Sequence, residues 1–158
     1  MNFSDPFGLC RQLTDSTQVN ECERFAAFVD SVAAGTRSDD QFMLALGELV
    51  AGFPGGIPTT NAGRSAVRFG DLGFRDEYID GDQHPARHFV ANMSVGYFGG
   101  TTVGNITASV REIWGVCRLR ACSGEDVRLG KAGAALGGSL RARHLPRRAV
   151  GQWIRDNL

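Results

Sequence analysis

The chain has 158 residues, 42% hydrophobic and 22% charged, which is the size and balance of one globular domain rather than of a disordered segment. At this length folding buries roughly 70% of the unfolded chain's surface, so no metal or disulfide is needed merely to hold a core. Formal net charge is zero, no apolar run approaches the roughly 20 residues of a membrane span, and the start lacks a basic region followed by an apolar stretch. These features argue against a transmembrane protein and against a secretory signal in this segment.

Charge is nonetheless uneven along the chain. Residues 1–100 carry 7 Arg against 13 Asp or Glu, a sum of −6, while residues 101–158 carry 9 Arg and 1 Lys against 4 acids, a sum of +6. The halves either face each other across a ligand-steering gradient or interleave in the fold. The four cysteines are Cys10, Cys22, Cys117 and Cys122. Their spacing is not CxxC and no histidine is near in sequence, which argues against a zinc finger. They are either free thiols or two bridges, most simply Cys10–Cys22 and Cys117–Cys122, and bridges would imply an oxidising compartment such as a periplasm.

In chain order, Asn2 to Leu9 reads as loop, broken by Pro6 and Gly8. Residues 16–34 read as an amphipathic helix capped by Asp15 or Ser16, with Val19, Cys22, Phe25, Phe28, Val29 and Val32 on one face and Gly35 at its end. Residues 39–52 repeat the pattern, with Asp39 as cap and Phe42, Leu46, Leu49, Val50 and Phe53 inward. Residues 55–82, with six glycines and many acids, read as a long irregular loop or small β-hairpin. A third helix spans 85–98, with Pro85 first, His84 as cap, and Phe89, Val90, Met93 and Tyr97 apolar. Residues 104–115 carry Ile106, Val110, Ile113 and Trp114 at helical spacing. Residues 124–143 place Val127, Leu129, Ala132, Ala135, Leu136 and Leu140 inward. The last helix covers 146–157, with Val150, Trp153 and Ile154 in the core. The expected fold class is mainly α: about six helices in one compact domain with the 55–82 insert.

Asp5-Pro6-Phe7-Gly8-Leu9, preceded by Asn2-Phe3, resembles the segment that closes an Rhs-repeat core, with a pattern similar to NPxNFxDPxGL. In that family a β-rich shell encloses a variable C-terminal toxin, and the chain is cut after the motif's leucine. The resemblance therefore implies that residues 1–9 end the shell and that residues 10–158 form a single toxin domain beginning at Cys10. It implies delivery by a secretion system, type VI above all, in interbacterial competition. The partners it implies are the Rhs core shell of the parent protein and a cognate immunity protein, expected to bind across 71–92. Toxin chemistries in this group vary widely, so the resemblance does not name the reaction.

Chemistry-bearing residues concentrate between Asp76 and His88. Four carboxylates (Asp76, Glu77, Asp80, Asp82) and two of the three histidines (His84, His88) fall within those 13 residues. A carboxylate beside a histidine fixes its tautomer and raises its basicity, and close carboxylates push each other's pKa values apart, as general acid–base work requires. The same run reads equally as a solvated acidic loop. His84 and His88 have the i, i+4 spacing of metal ligands, but the proline after His84 disfavours helical backbone there and no Glu lies between them. Neither a cofactor nor a metal is expected. Arg87 fits an anion, and His88, Asn92 and Gly96 continue one helix stripe beside the apolar face, with Asn92 and Tyr97 expected to bind substrate. Glu48, near a helix end and before a Gly-rich loop, fits the acid of a lysozyme-like pair.

The expectation is a secreted hydrolase toxin, with Glu77, Asp82, His88 and Glu48 catalytic and Arg87, Asn92 and Tyr97 binding substrate. Its expected target is peptidoglycan in the periplasm. In that reading Glu77 or Glu48 protonates the leaving oxygen, Asp82 serves as base or nucleophile and His88 orients it. The alternatives are a ribonuclease or DNA-cleaving toxin of the target cytoplasm and a non-enzymatic membrane-disrupting toxin. In the nuclease alternative His88 is the base, and Arg87 with Arg141, Arg143, Arg147 and Arg148 hold phosphates.

Overall fold

The aromatic side chains of α1 set the centre of the molecule. In the computed structural model, which describes residues 10–11, 13–59, 63–79, 84–100 and 124–158, the Phe25 ring lies 5.1 Å from Phe69, 6.3 Å from Phe74 and 6.2 Å from Phe89. Phe89 in turn stacks on Trp153 at 5.8 Å. Helices α1 (Glu21–Gly35), α2 (Asp39–Leu46), α3 (Pro85–Gly99), α4 (Gly124–Arg141) and α5 (Val150–Asn157) surround this cluster, and no strand occurs among the described residues. The domain is mainly helical and compact, as its periodicity indicates. The expected helix at 104–115, the Cys117–Cys122 pair and the junction motif lie outside the described residues.

Helix α1 buries Cys22, Phe25, Ala26, Val29 and Ala33, one stripe at three- and four-residue steps. It begins at Glu21 rather than near residue 16 because two side chains compete for the chain ahead of it. The Asp15 carboxylate accepts bonds from Thr17 N and Oγ1, at 2.9 and 2.6 Å, closing a local turn. Asn20 then caps the helix, its Oδ1 accepting from Glu23 N at 3.0 Å. Cys10 and Cys22 form a disulfide, and both are buried.

Ser38, not Asp39, caps α2, accepting from Gln41 N at 3.2 Å. The expected helix 39–52 loosens after Leu46 into a π turn, Gly47–Ala51, which Gly52 closes at φ 78°. The following Gly56 (φ 77°) approaches so closely that a Cβ there would sit 2.0 Å from Leu44 O. That crowding accounts for a glycine in the left-handed region.

The 55–82 insert does not fold back on itself in its described part, so the hairpin alternative is not formed there. Apart from local turns, its backbone bonds reach other elements. Gly63 N donates to Gly52 O (2.7 Å), Val67 N to Leu49 O (2.9 Å), Gly70 N to Glu21 Oε2 (2.9 Å) and Arg75 N to Leu158 O (2.6 Å). Its regular structure among the described residues is the end of a 3₁₀ turn, Pro54–Gly56, and a second one, Asp76–Tyr78.

Helices α3 and α4 pack backbone to backbone. A Cβ at Gly96 would lie 2.2 Å from Ala134 O, one at Gly133 2.5 Å from Phe89 O and one at Gly137 2.0 Å from Met93 O. On α4, Leu129, Leu136 and Leu140 are buried as expected, but Ala134 rather than Ala135 faces the core. A 3₁₀ turn, Arg147–Ala149, leads into α5. Arg155 of α5 reaches Glu23 at 2.7 Å and Asp30 at 2.8 Å, fastening it to α1.

Candidate functional site

The Val67–Leu49 backbone bond lays residues 65–69 across the π turn and toward the start of α3. Between them lies a cavity of about 90 Å³, lined by Val50, Ser65, Val67, Arg68, His84 and Arg87 over the edge of Phe69. That volume equals about three waters, the scale of one small anion. Among the described residues, two arginines, a histidine and a serine line it, and no acid does.

Local sequence explains each position. Pro85 opens α3 at its first position and holds His84 outside the helix, at φ −137° and ψ 48°. His84 occupies the cap position, but its side chain makes no capping bond, and no acid stands in the first turn of α3. No acid of that first turn compensates the positive end of the helix dipole beside the cavity. The imidazole of His84 is exposed and available. Arg87 is half-buried, and its Nη2 donates to Gly63 O at 3.0 Å, which fixes its direction. Arg68 is exposed, while its carbonyl accepts from Arg24 Nη2. Arg24 lies over the Phe69 ring, 4.9 Å from its centroid, and pairs with Glu21 at 2.9 Å. The segment carrying Arg68 is thus braced from α1.

Of the expected catalytic acids, Glu48 and Glu77 lie within the described residues. Glu48 is exposed on the π turn, and Glu77 is exposed in the 3₁₀ turn with Arg75 at 3.8 Å. Neither lines this cavity or either of two larger ones, about 300 and 350 Å³. Asp80 and Asp82 lie outside the described residues.

His88 sits one turn into α3, half-buried, its N donating to His84 O at 3.2 Å. Asn92 is buried and its Nδ2 donates to His88 O at 2.9 Å, so the expected stripe is joined within the helix. Tyr97 is buried and its hydroxyl donates to Asp40 Oδ1 at 2.6 Å, tying α3 to α2. Burial first, then the Asp40 hydrogen bond and charge, push this phenol well above the usual tyrosine range. Among the described residues no three His, Cys, Asp or Glu side chains group as a metal would require.

Of the expected binding residues, Arg87 lines the cavity. Sequence reasoning missed Arg68 and Ser65, which a long-range backbone bond brings to α3, and treated His84 as cap or metal ligand. The breaker Pro85 was the signal that His84 would be held out of the helix. Compared with protein-family models, curated proteins and solved structures, the chain gives no match.

Proposed function

We propose that residues 10–158 are the toxin domain of an Rhs-type effector and that the domain cleaves RNA in the cell it enters. The toxin role rests on the resemblance at Asp5–Leu9. It is supported by the residue that follows: Cys10 is buried and bonded to Cys22, so the packed domain includes the first residue after the expected cut. The reaction rests on the cavity at the start of α3, which His84, Arg68 and Arg87 line with no acid among the described residues. Guanidinium forks match phosphate oxygens, and a helix N-terminus adds to the same field.

In this reading Arg68 and Arg87 hold the phosphate and stabilise the charge that grows on it. His84 takes the proton of the ribose 2′ hydroxyl as that oxygen attacks phosphorus. The bond from phosphorus to the 5′ oxygen breaks, leaving a 2′,3′-cyclic phosphate, and the departing oxygen takes a proton from solvent.

A second reading, cleavage of peptidoglycan glycan strands in the periplasm, is favoured by the Cys10–Cys22 disulfide, which belongs to an oxidising compartment. It needs a carboxylate pair that the described residues do not assemble. As for a membrane-disrupting toxin, no helix among the described residues is long and apolar enough to cross a membrane.

The experiment is expression of residues 10–158 in bacteria, with and without an export signal, together with His84→Ala and Arg87→Ala. Growth arrest in the cytoplasm with fragmented RNA, lost in His84→Ala and relieved by a co-encoded immunity protein, is the expected result. Lysis only on export, unaffected by His84→Ala, would transfer the assignment to the cell wall.

A further inference from the structure

We propose that the corner between α4 and α5 is a second phosphate subsite, which holds the backbone of a single-stranded RNA away from the reacting phosphodiester. The proposal rests on the RNA reading above for its substrate class, but its observations are separate. The corner encloses about 350 Å³, lined by Asp39, Arg143, Leu145, Pro146, Arg147 and Arg148. From residue 127 to residue 155 the sequence contains seven Arg or Lys and no acid.

The three arginines of the corner differ in their surroundings. Arg147 is held: Nη1 lies 3.3 Å from Asp39 Oδ1, Nη2 donates to Thr36 O at 3.0 Å and Nε to Ala33 O at 3.4 Å. It caps the C-terminal carbonyls of α1 and takes up the single acid of the cavity lining. Arg143 and Arg148 are exposed, and their guanidinium groups have no partner among the described residues. Two unpaired guanidinium groups beside a neutralised third leave a cationic hollow with an apolar floor of Leu145 and Pro146.

Arg143 also stands where local physics favours another residue. Helix α4 closes in a Schellman motif: Arg143 N donates to Leu140 O at 3.0 Å and His144 N to Ser139 O at 2.9 Å. The residue between, Arg143, takes the left-handed φ of 58°, and no other non-glycine residue among those described does so. Glycine is the usual occupant of this position. The chain has 21 glycines, two of them at 137 and 138, yet it places an arginine at the cap. An arginine that works against its own backbone, and whose guanidinium has no hydrogen bond or ion pair among the described residues, points to an external anion. Phosphate fits because each guanidinium offers a bidentate fork.

The test uses a fluorescent single-stranded RNA of about 12 nucleotides, within the span such sites cover. Its binding to the His84→Ala domain is followed across a sodium chloride series, with and without Arg143→Gly and Arg148→Ala. Losing two phosphate contacts lowers the log–log salt slope by about 1.4 and the affinity about 20-fold near 0.1 M salt, with convergence near 1 M. Arg143→Gly is expected to melt no lower than its parent, and up to about 4 °C higher, so lost binding cannot be lost folding. Unchanged slope and affinity in the double variant overturn the subsite, whatever the wild type cleaves. Poly-glutamate that binds as tightly as RNA, with the same dependence on Arg143 and Arg148, also overturns it, in favour of an acidic protein surface. Corner-dependent RNA binding by a wild-type domain that cleaves no RNA upholds the subsite and removes the proposed reaction.

Discussion

The Tyr97 hydroxyl, 2.6 Å from Asp40 Oδ1, joins two helices through a proton that the folded state must keep. Burial, then the Asp40 bond and charge, favour the neutral phenol, whereas an unfolded tyrosine ionises near pH 10.0. Above pH 10 the unfolded chain therefore holds fewer protons than the native one, and stability falls as pH rises; below it the contribution is fully present. Tyr78 is raised too, by burial and then by the Glu77 charge, and adds in the same direction. We expect thermal melting temperatures that are flat up to about pH 9 and then decline. Tyr97→Phe removes the larger part of that decline and, at neutral pH, costs about 1 kcal/mol for the lost hydrogen bond. An equally steep alkaline decline in Tyr97→Phe would show that this contact does not set the pH dependence.

Among the elements, the α3–α4 pair depends on glycine in a way that reverses an ordinary substitution rule. Glycine to alanine inside a helix normally stabilises by up to about 1 kcal/mol. Gly35→Ala, whose Cβ would meet nothing within 4 Å, should follow that rule at the end of α1. Gly137→Ala places a Cβ 2.0 Å from Met93 O and forces two backbones apart, so a loss of about 3 kcal/mol or more is expected in urea titrations. This contrast also marks how far the sequence could be read. The helices were legible because their buried stripes recur every three or four residues: Phe89, Val90, Met93 and Tyr97 of α3 are all in the core. The π turn was not, because it depends on Gly56 meeting Leu44 across a bend. The start of α1 turned on a competition between Asp15 and Asn20 that two cap-like residues cannot settle by type alone. Arg68 could not be foreseen as a cavity residue, since the bond from Val67 to Leu49 that carries it there leaves no periodic trace. Arg87 could, because it follows a proline-opened helix start by two residues.

At the scale of the whole molecule the opposite charges of the two halves meet in pairs. Asp39 pairs with Arg147, and Glu23 and Asp30 pair with Arg155, so acids of the first half neutralise arginines of the second. Among the described residues, arginines line the cavity at the start of α3 and the α4–α5 corner, which supports the proposal of a phosphate-bearing substrate over a neutral glycan. On the proposed RNA reading the Cys10–Cys22 disulfide meets reducing conditions, because a cytoplasm keeps thiols reduced. The bridge spans a separation of 12 residues, and loop-closure entropy assigns such a bridge about 3 kcal/mol. A domain of this size has a total stability of about 5–15 kcal/mol, so the reduced form should stay folded if Phe25, Phe69, Phe74 and Phe89 carry most of the core. The double variant Cys10→Ser/Cys22→Ser is therefore expected to melt lower than the oxidised parent yet to arrest growth when expressed in the cytoplasm. Periplasmic expression of the same variant should do no harm, since RNA is not there. A toxin that needs the bridge, and kills only when exported with both cysteines intact, would instead place its substrate outside the cytoplasm and leave the cationic cavity without RNA to bind.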